Sequence, residues 1–455
     1  MDTGNDLTIP ADVPVSTRET GLPAGLRFGL VQGWNFIFRP KRSYAWMRRT
    51  YGDVVTIYGT PSGDVVLALT AEGAREVLSA DPDGYGAAHK DAFAGLAGAG
   101  SLLILEGALH RAERKLLMPA FHVQNMRDIG HVIRDIVITH TDRLRPGDRI
   151  KALDLMMDIS RDVILRVVFG VEDGPLLDEG RVAVAKVLHG VGPLITFVPA
   201  VQAWWFPPWR KFMRAKCAFS AFLKRCMAER AGADEEACDV LSLLNAARRD
   251  DGTRLSHEEI LGEIGTIVLA GHKNMAFALS WALYELARHP AAKQRLRDEL
   301  VALGADPDPN LIARQPYVSA VCDEALRLHP IHTEIGRVCR APTKLLGCTI
   351  PTGTVVGVGI CAIHQDPAIY PEPDTFAPDR FIERSYSPFE FLPFGGGHRR
   401  CIGAAFSDYQ MRVSLATIVM RWELESLGEE RESRQNLGMG PKRGVPMRVT
   451  GRRPT

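Results

Sequence analysis

No segment of this 455-residue chain reads as a membrane span. The longest N-terminal apolar stretch, Phe28 to Phe38, includes Gln32, Gly33 and Asn35, whereas a bilayer takes roughly 20 predominantly apolar residues. A secretory leader is missing as well: the opening residues include Asp2, Asp6 and Asp12 where a leader has a basic start. Net charge is all but absent, since 55 Lys and Arg face 54 Asp and Glu and leave +1. No global field therefore draws the protein to nucleic acid or acidic membranes. A disulfide framework is lacking: Cys217, Cys226, Cys238, Cys322, Cys339, Cys348, Cys361 and Cys401 show no CxxC spacing. Seven of them read as small buried hydrophobes, and reduced thiols suit a cytoplasmic protein. Internal repeats, low-complexity linkers, a reductase module and flavin or nicotinamide fingerprints are missing too.

What is present suits a globular protein with a large core: 46% of the residues are hydrophobic and 24% charged. Residues 1–24 read as a polar lead-in and residues 25–455 as one large domain, because no boundary divides the helical from the strand-rich parts. Val54 to Tyr58 and Val65 to Ala68 flank Gly59-Thr60-Pro61-Ser62-Gly63-Asp64 and predict a hairpin. Helical patterns dominate from Thr70 to Leu303. Gly84 to Gly100 reads as a loop with short helical turns, and Gly190 to Pro208 as a helix–loop–helix lid. Ser256-His257-Glu258-Glu259 has the form of a capping box. It predicts a helix continuing to about Arg288, where His289-Pro290 stops it. Strand signals return after His329.

The segment richest in chemistry is Phe394-Gly395-Gly396-Gly397-His398-Arg399-Arg400-Cys401-Ile402-Gly403. Three glycines let the backbone turn tightly and approach a flat ligand. Basic residues precede the cysteine and an apolar helical run, Ala404 to Val413, follows it. Cationic neighbours and a helix N-terminus both lower a thiol pKa, so a thiolate is expected. The other readings are a glycine loop around a buried cysteine, or a phosphate loop; the latter lacks its Gly-Lys-Ser/Thr. The segment resembles the haem-binding loop of the cytochrome P450 family, with Phe394, Gly395, Gly397, Arg399, Cys401 and Gly403 at the motif positions. The similarity extends over roughly Trp46 to Met447 and is closest from Arg380 to Arg421.

That resemblance implies a mainly α fold, a single cytochrome P450 domain with a small β-rich region. Haem b would lie between the Ser256–Arg288 helix and the helix after Cys401, with Cys401 on its iron. Glu324 and Arg327, three apart on one helix face, would otherwise read as a surface ion pair. With Arg380 they match the family's buried structural triad. His110, Arg114, Arg337 and Arg399 match positions that donate to haem propionates, which paired donors hold well. The chain departs from the family in Ala270-Gly271-His272-Lys273-Asn274. Lys273 and Asn274 stand where an acid and a threonine normally organise water and protons for O2 activation. Thr333 and Glu334 are polar where the pocket is usually apolar, and Glu334 could meet a substrate polar group or pair with Lys273.

The expected activity is oxidation of a small organic substrate, polar or biosynthetic, with O2 and external electrons, in cytoplasmic secondary metabolism. A ferredoxin and its reductase are the expected electron source, docking on His398, Arg399, Arg400, Arg111 and Lys115. The expected state is a monomer without nucleic acid or a membrane span. The alternatives are a non-hydroxylating haem-thiolate enzyme (peroxide-driven, oxidative coupling or rearrangement) and a non-catalytic haem protein.

Overall fold

The structure, a computed structural model, describes residues 21–29, 35, 39–60, 63–88, 90–98, 100–121, 126–190, 192, 195–196, 199–230, 239–435 and 438–453. Most of the polar lead-in, and part of the segment from Gly190 to Pro208, lie outside the described residues.

The centre is one helix, His257–Arg288. Its start is the capping box: Glu259 N–H donates to Ser256 Oγ at 3.3 Å, and Ser256 N–H donates to Glu259 Oε2 at 2.7 Å. Its end is His289, followed by Pro290 at the first position of the next helix. The two halves of the central helix differ. From Met275 to Leu286 every residue is buried, as expected of a helix covered on all sides. In the first half Ala270 is exposed and Gly271 and Lys273 are half-buried.

The largest core packs around the second half, joining it to Ala152–Val163, Pro316–Leu328 and Ala404–Arg421. A second core joins the first half to Pro175–Gly190 and Pro207–Arg230. To one side lies a six-stranded mixed sheet. Its strands run in the order Gly25–Arg27, Val54–Thr60, Gly63–Ala68, Val355–Val358, Ile335–Cys339, Tyr85–Ala87. The hairpin expected at Val54 to Ala68 is its antiparallel second pair. The strand signals from Leu345 to Ile350 resolve into a tight hairpin. Leu346 and Gly347 turn at φ 45° and 82° between Thr343–Leu345 and Cys348–Ile350. Residues 84–100, expected as a loop, include strand Tyr85–Ala87 and helix Lys90–Ala97.

A buried polar knot joins distant segments. His329 lies between Glu285 of the central helix, at 2.7 Å, and Glu432 of strand Glu432–Gln435, at 2.8 Å. Its ring stacks on Trp281 at 3.9 Å. Lys41, from helix Pro40–Tyr51, reaches Glu432 at 2.8 Å. Among the described residues no helix is long and apolar enough to cross a membrane.

Candidate active site

The glycine loop is shaped by two left-handed residues, Gly395 at φ 65° and Gly397 at φ 67°. Gly397 also passes so close to the main chain of Leu78 that a Cβ would lie 2.3 Å from its carbonyl oxygen. Cys401 N–H then donates to the Phe394 carbonyl at 3.0 Å, closing the loop before helix Ala404–Arg421 begins. Cys401 is accessible yet enclosed by protein on most sides. Its thiol therefore faces an internal space. Ala270, in the middle of the central helix, is exposed as well. Burial pushes the Cys401 thiol up, against the Gly403 amide and the Arg400 and Arg114 guanidinium groups. This direction is opposite to the lowered thiol pKa expected from sequence; a metal ion deprotonates a thiol that ligates it.

Five basic side chains gather nearby. His110 is buried in helix Gly107–Leu117, its ring 5.9 Å from that of His398. Arg399 donates to the Leu105 carbonyl at 2.5 Å, and its Nε is buried without a partner. Among the described residues Arg337 donates only to its neighbour, the Gly336 carbonyl, at 2.8 Å. Burial and the neighbouring guanidinium groups lower His110 to about 4 and His398 to about 4, leaving both imidazoles neutral near pH 7, and lower Arg337 to about 10. Arg114 is lowered by burial, with Cys401 acting the other way. Among the described residues no ion pair joins a carboxylate to any of the five. Such a set demands an anion. An accessible thiol in an enclosed space beside uncompensated cations fits iron protoporphyrin: Cys401 for the iron; His110, Arg114, Arg337 and Arg399 for the propionates. His398 turns into this cluster, and Arg399 turns inward with it. The expected docking patch is thereby reduced to Arg400, Arg111 and Lys115, the last two paired on the surface with Asp83 and Asp250.

Glu324 and Arg327 come from the same face of helix Pro316–Leu328 and are both fully buried. Arg327 grips Glu324 with two bonds, of 2.6 and 2.8 Å, and Arg380 adds a third at 3.1 Å. The remaining donors of Arg327 go to the carbonyls of His364, Pro373 and Thr375. The His364 ring continues the path: Leu392 N–H donates to its Nε2 at 2.9 Å, two residues before Phe394. His364 was not singled out in the sequence, because its partner is a backbone amide 28 residues away. Burial and Arg327 lower its pKa to about 3. A base whose folded pKa lies below the unfolded ~6.5 adds stability above that value and loses it as pH falls towards 3. Between pH 7 and 4.5 this residue should therefore take about 2–3 kcal/mol from the fold. Chemical denaturation of wild type and His364→Gln across that range checks it: the variant's stability should fall less steeply with acid.

On the central helix, Asn274 Nδ2 lies 3.2 Å from His332 Nε2. Burial lowers the ammonium of Lys273, and among the described residues no carboxylate pairs with it. Glu334 does not meet Lys273. It accepts from Tyr44 OH at 2.6 Å and from Thr333 Oγ1, and it faces Arg434 at 3.6 Å. Arg434 also donates to Thr333 Oγ1 at 3.0 Å. Burial works to raise the Glu334 carboxyl, but Arg434 and the two hydroxyls outweigh it and hold it below its ordinary value; His332 acts in the same direction. Tyr44 and Arg434 carried no sequence signal, since each joins the site from a separate part of the chain, whereas His332 stands in the same polar run as Thr333 and Glu334. Gly271 leaves room, a Cβ there meeting only Ile164 Cδ1 at 4.0 Å.

The family model for Cytochrome P450 matches residues 23–446 of the chain. Cytochrome P450 135B1 of Mycobacterium tuberculosis is 32% identical over 444 residues, covering 96% of this chain and 93% of the relative. Cytochrome P450 138 of the same organism is 31% identical over 422 residues, 91% and 93% of the two chains. Among solved structures, a cyanobacterial CYP120A1 with bound retinoic acid superposes with a TM-score of 0.75. It covers 88% of this chain and 92% of its own at 23% identity, a likeness of fold.

Proposed function

This chain belongs to the cytochrome P450 family of haem-thiolate monooxygenases, and we propose that it oxidises a small organic substrate through a proton supply of its own kind. Haem, when bound, supplies the O2 chemistry. The protein residues set access, orientation and proton delivery. The observation that carries the proposal is the contact between Asn274 and His332, at the position where the family has an acid–threonine pair. An amide exchanges hydrogen bonds but does not release a proton at neutral pH. Asn274 therefore orients the His332 ring, and the pair would hold the water or substrate group through which the proton passes. Glu334, held ionised between Tyr44 and Arg434, stands two residues further along the same wall. Electrons come from a separate acidic carrier of ferredoxin type. It would dock on Arg400 with Arg111 and Lys115, whose surface pairs are weak enough to exchange.

Asn274→Ala and His332→Leu should uncouple electron use from product. The expected result is product formation lower by about tenfold or more, with matching peroxide release. Lys273→Glu with Asn274→Thr should leave turnover similar or better if only the proton source differs. Half-buried Lys273 without a carboxylate supports a second reading, a non-hydroxylating reaction. Under that reading the same double variant shifts the product towards simple hydroxylation, traced with isotopically labelled O2. Wild-type coupling, rate and products in all three variants would sink both readings.

A further inference from the structure

The overall charge of +1 hides a strongly one-sided stretch. Between Glu179 and Glu229 there is no Asp or Glu, while Arg181, Lys186, Arg210, Lys211, Arg214, Lys216, Lys224 and Arg225 all fall there. Within it stand the two most exposed tryptophans of the described residues, Trp204 at 82% and Trp205 at 56%. Pro207 and Pro208 follow, also exposed, and open helix Pro207–Arg230. The first turns of that helix show Arg210, Lys211, Met213 and Arg214 to solvent, while Phe212, Ala215 and Phe219 face the core. Among the described residues no carboxylate pairs with Arg210, Lys211 or Arg214. The segment is nonetheless anchored. Phe206 and Trp209 pack on the second core, and Lys216 Nζ donates to the carbonyls of Gly95 and Leu96 at 3.3 and 3.2 Å.

Two protruding indoles beside an unpaired cationic helix face are costly in water and match one environment well. Tryptophan prefers the boundary between headgroups and acyl chains. Arginine and lysine beside it are drawn to anionic lipid, and an apolar edge flanked by such cations seats a protein on a membrane without spanning it. A protein partner would also need acidic groups, but it would have to supply a pocket for each ring. A lipid surface admits both without a preformed pocket. We infer that Trp204 and Trp205, with Arg210, Lys211 and Arg214, dock this protein on an anionic lipid surface. The segment rests on helix Lys90–Ala97, whose Ala97 carbonyl lies against Gly262 of the central helix. Docking therefore brings the first half of the central helix, the half with exposed Ala270, to the lipid side, where apolar substrates concentrate.

The test is flotation of the full-length haem protein with vesicles of phosphatidylcholine alone or with about a third phosphatidylglycerol. The expected result is capture by the anionic vesicles at low salt, weak capture by the neutral ones, and release as salt rises. Trp204→Ser with Trp205→Ser, and Arg210→Gln with Lys211→Gln and Arg214→Gln, should each lower capture about tenfold or more. Melting temperature and the ferrous–CO spectrum should not change in either. Equal capture by neutral vesicles, capture indifferent to both variants, or no capture with an acidic protein bound at this patch instead would each overturn the inference.

Discussion

Cys401→Ser should abolish the red-shifted Soret band of the ferrous–CO protein while leaving the far-ultraviolet circular dichroism of the chain in place. The band depends on sulfur as thiolate on iron, and a serine hydroxyl at the same position is a poor ligand at neutral pH. The loop itself should survive. Its shape comes from Gly395 and Gly397 and from the Cys401 amide bonded to the Phe394 carbonyl, none of which uses the sulfur. Haem content should drop as well, because Cys401 would supply the iron bond and the basic cluster the rest. A serine variant that kept the band would place the iron ligand elsewhere.

Glu324→Ala or Arg327→Ala should cost about 3–5 kcal/mol, because each leaves a buried charge without its partner. Against a total stability of about 5–15 kcal/mol, that is enough to empty the folded, haem-loaded population. Arg327→Lys should also fail, since an ammonium cannot reproduce the two bonds to Glu324 and the three to carbonyls. Glu324→Gln should do better than Glu324→Ala, as an amide retains an acceptor for Arg327 and Arg380. The route to the loop runs through His364 and Leu392, so haem occupancy should fall before helix content does. Full haem occupancy and an unchanged melting temperature in Glu324→Ala would remove this triad from any role in holding the site.

Features that depend on near neighbours in the chain could be read from sequence. The capping box at Ser256 and the shared face of Glu324 and Arg327 are three-residue spacings, fixed by helix geometry. The hairpin around Gly59 to Asp64 is similarly local. What could not be read was direction and distance. Glu334 could point towards the central helix or away from it, and Tyr44, 290 residues earlier, decides the matter. His332 and Asn274 belong to separate elements with no spacing rule between them. The thiol of Cys401 carried two local signals for a lowered pKa, and both are present, but enclosure by distant segments outweighs them. His398 looked like a surface cation beside Arg400, whereas Arg399 already matched a propionate position; the glycine loop, passing close to Leu78, brings His398 to the ring of His110.

The knot around His329 has a consequence for how the protein is made. Lys41 lies near the start of the chain and Glu432 near its end, and both meet at one point with Glu285 and His329. A ribosome delivers the N-terminal part long before Glu432 emerges, so until then the His329 side chain has one carboxylate partner of its two. The segment that follows it, with His332, Thr333 and Glu334, cannot be fixed during synthesis, because Arg434 arrives later still. Folding of this wall waits on contacts between segments far apart in the sequence, the slow kind.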